Sequence, residues 1–434
     1  MPVKVLLAAC GLLVAARAGA LQPLEEFLDG ARKSGVDNAE ARALRRQAGA
    51  EARAELGRAL PRLSLRGEYI RNEFETVLQL PGAGGGPAER VTVTPRDQLD
   101  GTATLVVPLV DLASFARIGA ARSGARAAER QETSTDLASQ ARVVQDYYQL
   151  VANVALVGAS SRALEVARAG LRIAEERHDA GSTGLLDVDR ARAEVERNVQ
   201  QLASAELQVS LVARELRSLT GIAPEVGGEA PLADDLHEEP PLERFQPADD
   251  QLPAVAAAIE SRVAADRQAR AQRFVLVPSL DASLTERVSN AEGLAGRDAY
   301  WQAVVGLSWS IDLTTLAGIR AQEAAADAAR AREERVRLAA RDDIHRAWAS
   351  VRTHIARSRS ARTEAQVSGR AAELAMQRYQ AGAAAQLDLL QALRDAFNAD
   401  AARIQADADL VNARAQLRLA AGESLLQRSG RGAP

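Results

Sequence analysis

Over 186–219 the apolar residues return every seven positions: Val188, Val195, Leu202, Val209 and Leu216. Ala191, Ala205, Val212 and Leu219 fill the place three further on, interrupted once by Asn198. A sustained seven-residue repeat predicts a coiled-coil helix. The stretch before it, 114–180, holds no proline and reads as one helix, about 100 Å long at 1.5 Å per residue. Helices are also predicted over 38–60 (stopped by Pro61), 254–274, 314–380 and 387–421. Two places change period from helical to alternating. In 63–74, Leu63, Leu65, Gly67 and Tyr69 oppose Ser64, Arg66 and Glu68. In 299–311, Trp301, Ala303, Val305, Leu307, Trp309 and Ile311 share one face, with mostly polar residues on the other. A further strand over 99–110 has two possible phases: its own pattern gathers Leu99, Ala103, Leu105 and Val107, whereas alignment with 299–311 gathers Thr102, Thr104 and Val106. The glycine-rich stretch 81–87 is read as a loop.

These elements occur twice. Arg177-His178-Asp179-Ala180-Gly181, with Leu186-Asp187 after it, returns 201 residues later as Arg378-Tyr379-Gln380-Ala381-Gly382 with Leu387-Asp388. The same offset relates Asp111-Leu112 to Asp312-Leu313 and Gly221 to Gly422. Pro61 and Pro278 are 217 apart, so the first copy carries 16 extra residues around its glycine-rich loop. The expected organisation is a leader at 1–20, a first repeat at 21–222, a linker or collar at 223–252, a second repeat at 253–425 and a disordered tail at 426–434.

The leader has Lys4, a short apolar run and Ala18-Gly19-Ala20, the pattern of a cleaved secretory signal. The only cysteine, Cys10, either leaves with it or, read as a lipobox residue, becomes a lipidated N-terminus. After the leader no run of about 20 apolar residues occurs, so any membrane crossing must be made by strands. The 299–311 strand, apolar on one face with tryptophan near both ends, fits a barrel strand with Trp301, Val305, Leu307 and Trp309 toward lipid. Four strands do not close a barrel, for which about eight are needed, so several chains must share one. Aromatics are only 3% and hydrophobic residues, much of them alanine, 47%, which suits long narrow helical seams better than a wide core. The net charge of −4 gives no reason to expect nucleic acid as a partner.

The doubled strand-pair and long-hairpin pattern, with the tips at 177–188 and 378–389, resembles the TolC-like outer-membrane efflux proteins. The resemblance implies an α+β membrane protein: a homotrimer whose twelve strands, four per chain, form one β-barrel, continued by a periplasmic barrel of antiparallel coiled-coil helices. It implies the exit duct of a tripartite efflux or secretion system, handing substrates from an inner-membrane pump and a periplasmic adaptor to the exterior. The adaptor would meet the tips at Arg177, Gly181, Leu186, Arg378, Tyr379, Gly382 and Leu387. Asp187 and Asp388 would form acidic rings at the pore constriction; the family's second acid falls at Gln391, where it is missing. Each acid also suits the first turn of a helix, and Arg177 and Arg378 suit last turns, from which they could pair with acids that hold the tips shut.

No enzyme is expected. His178, His237, His345 and His354 lack metal-ligand spacing, no Gly-x-Ser-x-Gly elbow occurs, and no glycine loop follows a strand into a helix. No cofactor or metal is implied. The competing readings are a periplasmic coiled-coil adaptor and a structural protein without a pore. An adaptor would carry one hairpin and a β-rich lipoyl-like region; a soluble coiled coil would not need the Trp301 strand.

Overall fold

The structure is a computed structural model; it describes residues 21–80, 89–226, 232, 234–291 and 297–427. The leader with Cys10, the 81–87 loop and the tail from 428 lie outside the described residues.

In chain order the elements are α1 (Leu24–Ser34), α2 (Val36–Arg58), β1 (Arg62–Arg71), β2 (Thr76–Leu80), β3 (Glu89–Thr94), β4 (Asp97–Val110), α3 (Leu112–Asp179), α4 (Leu185–Thr220), α5 (Pro253–Phe274), β5 (Ser279–Ser289), β6 (Ala299–Ser308), α6 (Leu313–Gln380) and α7 (Gln386–Ala420). The repeat is built as spaced: α3 and α6 are each 68 residues and begin 201 apart. Asp111 and Asp312 start them as N-caps. Asp111 Oδ1 accepts the Ser114 N–H at 2.9 Å, and Asp312 Oδ1 accepts the Thr315 N–H at 2.6 Å. The Thr314 hydroxyl, then the Thr315 amide, hold the Asp312 carboxyl below its usual range. Gly221 and Gly422, also 201 apart, both take positive φ at helix ends.

Two compact units divide the described residues. The first takes those up to Glu40, Thr133–Leu252 and those from Ala339; the second takes Ala41–Glu132 and Pro253–Leu338. Each draws on both repeats.

The core of the first unit is Phe27, Leu28 and Ala31 of α1 against Val143, Val144, Tyr147, Leu150 and Val151 of α3, with Leu216 of α4 and Leu419 of α7. The heptad seam of α4 continues that contact, with Val195 and Leu202 meeting Leu164, Ala167 and Leu171 of α3. The 223–252 segment is irregular, with single 3-10 turns at Leu242–Phe245 and Asp249–Gln251. It is pinned by Arg414 of α7, which reaches both Asp234 oxygens (2.8 and 3.1 Å), the His237 carbonyl (2.7 Å) and Glu239. A guanidinium this deeply buried is tolerated because two carboxylates compensate it. Trp348 Nε1 donates to the Pro240 carbonyl at 3.0 Å.

The second unit joins helices through alanine-rich faces and cross-helix ion pairs, such as Arg126–Glu260 at 2.8 Å and Arg330–Asp266 at 2.8 Å. It also holds a four-stranded antiparallel sheet in the order β1-β4-β5-β6. Pairing of β4 with β5 joins the two repeats, and β1 and β6 are left as edges. β2 and β3 form a separate hairpin between β1 and β4; they account for much of the 16-residue excess of the first copy, so that excess is more than the loop expected from its glycines.

The register settles the phase of 99–110. Leu63, Leu105, Leu284 and Ala303 lie in one cross-strand row, and Leu65, Ala103, Glu286 and Trp301 in the next, so the strand's own pattern faces the same way as Trp301. Alignment with the second copy misleads because β4 has a bulge between Pro108 and Val110, whereas the β5–β6 pairing runs without one. One extra residue flips the alternation, so the two repeats are in register after the bulge and out of phase before it.

The strand predicted over 299–311 ends at Ser308. Residues 275–277 form turns, through bonds such as Val277 N–H to the Phe274 carbonyl at 3.0 Å, so no strand lies opposite 309–311. Trp309 instead donates its indole N–H to the Leu276 carbonyl at 3.0 Å.

Candidate functional site: the helical tips and the sheet faces

Each tip is a Schellman turn. At the end of α3, Ser182 N–H reaches the Arg177 carbonyl (2.9 Å) and Gly181 N–H the His178 carbonyl (2.8 Å). At the end of α6, Ala383 N–H reaches the Arg378 carbonyl (2.8 Å) and Gly382 N–H the Tyr379 carbonyl (3.0 Å). Gly181 and Gly382 have φ of 71° and 73°, and a Cβ at either would meet nothing within 4 Å. They are glycine for backbone conformation, and space is not the constraint.

The two tips are tied to each other asymmetrically. Arg177 Nη2 donates to the carbonyls of Tyr379 (2.6 Å) and Gln380 (3.1 Å), and its guanidinium carbon stands 4.4 Å from the Tyr379 ring centroid. Arg177 thus takes two end-of-helix carbonyls and an aromatic face rather than the acid expected for it. The Tyr379 carbonyl accepts from Arg177 in addition to the Gly382 N–H, both carbonyls belong to the last turn of the helix, and a planar guanidinium suits them and the ring alike. In return, Gln386 Nε2 donates to the Asp187 carbonyl at 2.7 Å. Tyr379, expected among the adaptor contacts, is 2% exposed in this chain and forms the floor under Arg177. Arg378 is exposed, so the repeat-related arginines do different work. Gln386, buried and bridging, was not singled out from sequence; its repeat equivalent is Leu185, so nothing in the duplication marks it.

Asp187 and Asp388 both lie in first helical turns. Asp187 is partly buried, 3.5 Å from Arg190; Asp388 is exposed and, among the described residues, has no ion-pair partner. Leu186 and Leu387 beside them are 61% and 56% exposed. The tips therefore present apolar side chains, acids and compact turns outward.

On the sheet, one face carries Leu63, Leu65, Tyr69, Leu99, Leu284, Val288, Trp301, Val305 and Leu307, all exposed. Trp301 and Val305 are 72% and 69% exposed, which for a water-facing surface would be a large apolar patch. The opposite face holds rows such as Ser64, Thr104, Thr285 and Gln302, with Thr104 and Thr285 hydroxyls 3.1 Å apart. Apart from Glu286, exposed in the Trp301 row, the one face is largely apolar and the other largely polar, which is the barrel-wall pattern. Two bare edges on a sheet of this length call for further strands. Among the described helices only α3 is apolar enough over 18 residues to cross a bilayer, and its core residues Val143, Val144 and Leu150 are fully buried in the first unit.

Asp234, Asp235 and His237 bring ligand atoms within 4.8 Å of one another. Arg414 donates to Asp234 and its Nη1 stands 3.0 Å from His237 Nε2, so a guanidinium occupies the place a cation would take.

A family model described as outer membrane efflux protein matches residues 28–222 and 246–423. No curated protein matches the chain. Solved structures do. CusC is 16% identical with a TM-score of 0.79, over 92% of each chain. The CmeC outer membrane channel of Campylobacter jejuni is 19% identical with a TM-score of 0.79, over 93% of this chain and 86% of that one. The MtrE outer membrane channel of Neisseria gonorrhoeae, in an open state, is 18% identical with a TM-score of 0.75, over 94% and 91%.

Proposed function

The chain belongs to the outer membrane efflux protein family, and on that footing we propose that its helical tips are both the adaptor-docking surface and the ion-selective gate of the channel. As a member of the family it is a non-enzymatic outer-membrane efflux channel of a tripartite system, trimeric, with its helical part in the periplasm. The readings as an adaptor or a pore-less coiled coil therefore fall away.

What supports the gate is the pair of cross-tip ties. Arg177 and Gln386 hold the two hairpin ends of one chain together, so any widening at the tips must break them. Exposed Leu186 and Leu387 offer the apolar contact for a periplasmic adaptor, which in turn links to an inner-membrane pump. Trp301, Val305 and Leu307 face lipid, and Trp309 joins the same surface from beyond the strand end.

Asp187 and Asp388 line the constriction, six carboxylates in a trimer. Carboxylate rings favour cations and bind divalent ions. In Asp187→Ala/Asp388→Ala trimers, single channels in planar bilayers should lose cation preference and show weaker block by divalent ions, with Glu238→Ala, exposed and remote in sequence, as control. Wild-type selectivity and block in the double variant would reduce both acids to helix-starting residues.

A further inference from the structure

The polar face of the sheet carries charge in layers. Along β1 toward the β1–β4 connection, Arg62 stands level with Val106, Ser283 and Val304. A neutral hydroxyl and amide row follows. Then Arg66 and Arg287 share one row, and Glu68 and Asp100 share the next. Below Arg62, Asp281 lies level with Pro108. Each arginine of the upper row is paired with an acid of the row beyond it: Arg287 with Asp100 at 2.9 Å, and Arg66 with Glu68. The pairs are not symmetric in exposure. The Asp100 side chain is 9% exposed, while Arg287 is 37% and Arg66 is 75% exposed. The Arg66 guanidinium is the most exposed of the four groups, Glu68 at 41% and Arg287 are about equally open, and the carboxylate of Asp100 is recessed behind. Arg62 has no carboxylate on its own level.

Three-fold repetition of this face around a barrel brings three copies of each residue to one height, while the strand tilt staggers residues of one row. Acids then stand at both ends of the stack, and nine arginines, three from each chain, occupy its middle. We propose that Arg62, Arg66 and Arg287 form an arginine belt in the barrel lumen that binds the anionic groups of passing solutes, carboxylates, sulfonates or phosphates, and so gives the barrel a charge preference opposite in sign to that of the acidic tips. The inference rests on the trimeric-barrel reading. Guanidinium suits this work because it stays charged at every periplasmic pH and offers a planar fork to oxyanions. A charged ring in a narrow, low-dielectric wall also concentrates counter-ions well beyond its pairwise contacts.

The test uses the full chain carrying Thr104→Cys, a thiol in the neutral row between the arginine levels, in trimers verified by native mass measurement. Labelling rates with an anionic and a cationic methanethiosulfonate are compared, each normalised to a free thiol. The anionic reagent should be favoured. In the Arg62→Gln/Arg66→Gln background, which leaves the Arg287–Asp100 pair intact, that preference should fall on the order of tenfold. Gln302→Asn, a neutral change on the same row, should leave it unaltered. An intact trimer whose labelling ratio is the same with and without the two arginines overturns the belt. Failure to form any trimer counts instead against the barrel reading on which the belt rests.

Discussion

Val305→Arg should remove the trimer from the outer membrane, while Ser308→Arg should leave most of it in place. Val305 lies mid-strand on the exposed apolar face, in the row of Ala282, whereas Ser308 is on the opposite face at the end of β6. Arginine near the bilayer midplane costs about 2–4 kcal/mol per site, and three copies enter one barrel. Such a sum is comparable to the net stability of a typical domain. The measurement is the yield of sodium dodecyl sulfate-resistant or native-gel trimer in the membrane fraction. Equal loss from both variants would show that the assigned faces are wrong.

Arg177→Ala should open the periplasmic end, and Arg378→Ala should not, although the two residues are repeat equivalents. Among the described residues Arg177 is committed, to two carbonyls and the Tyr379 ring, and Arg378 has no such tie. Hydrogen bonds from a charged donor are worth about 1.5–3 kcal/mol, and a cation–π contact about 0.5–2 kcal/mol. Together they hold enough energy to shift a closed–open equilibrium by at least about tenfold per chain. Single-channel recording should show a raised open probability for Arg177→Ala, a smaller rise for Gln386→Ala, and wild-type behaviour for Arg378→Ala. A closed Arg177→Ala channel would mean that the ties are packing contacts and no gate.

Much of this architecture is legible in the chain because the repeat is nearly gapless. Gly181 and Gly382 announce their turns through the need for positive φ, and the helix starts at Asp111 and Asp312 follow from capping chemistry. The elements that escaped are those without a repeat copy or without a local signature. α1 has Leu24, Phe27, Leu28 and Ala31 at helical spacing, after Pro23 and with Glu25 and Glu26 in its first turn. It is short and stands alone, but the pattern was there to be read. β2 and β3 have no counterpart among the described residues of the second repeat, and their alternation is brief. The bulge at Leu109 is a backbone event, visible only as two conflicting phases in 99–110.

The site divides in the same way. Asp187, Asp388, Leu186 and Leu387 could be placed from spacing, since a glycine turn fixes where the next helix begins. That Arg177 and not Arg378 makes the tie, that Tyr379 faces inward, and that Gln386 completes the lock are facts of tertiary packing between segments about 200 residues apart, which no periodicity encodes.

The central claim is that four strands from each chain close a common barrel. The mass of the detergent-extracted, lipid-stripped particle tests it most directly. Three copies of the chain, and no others, are predicted; a stable monomer that still conducts in a bilayer would contradict the account.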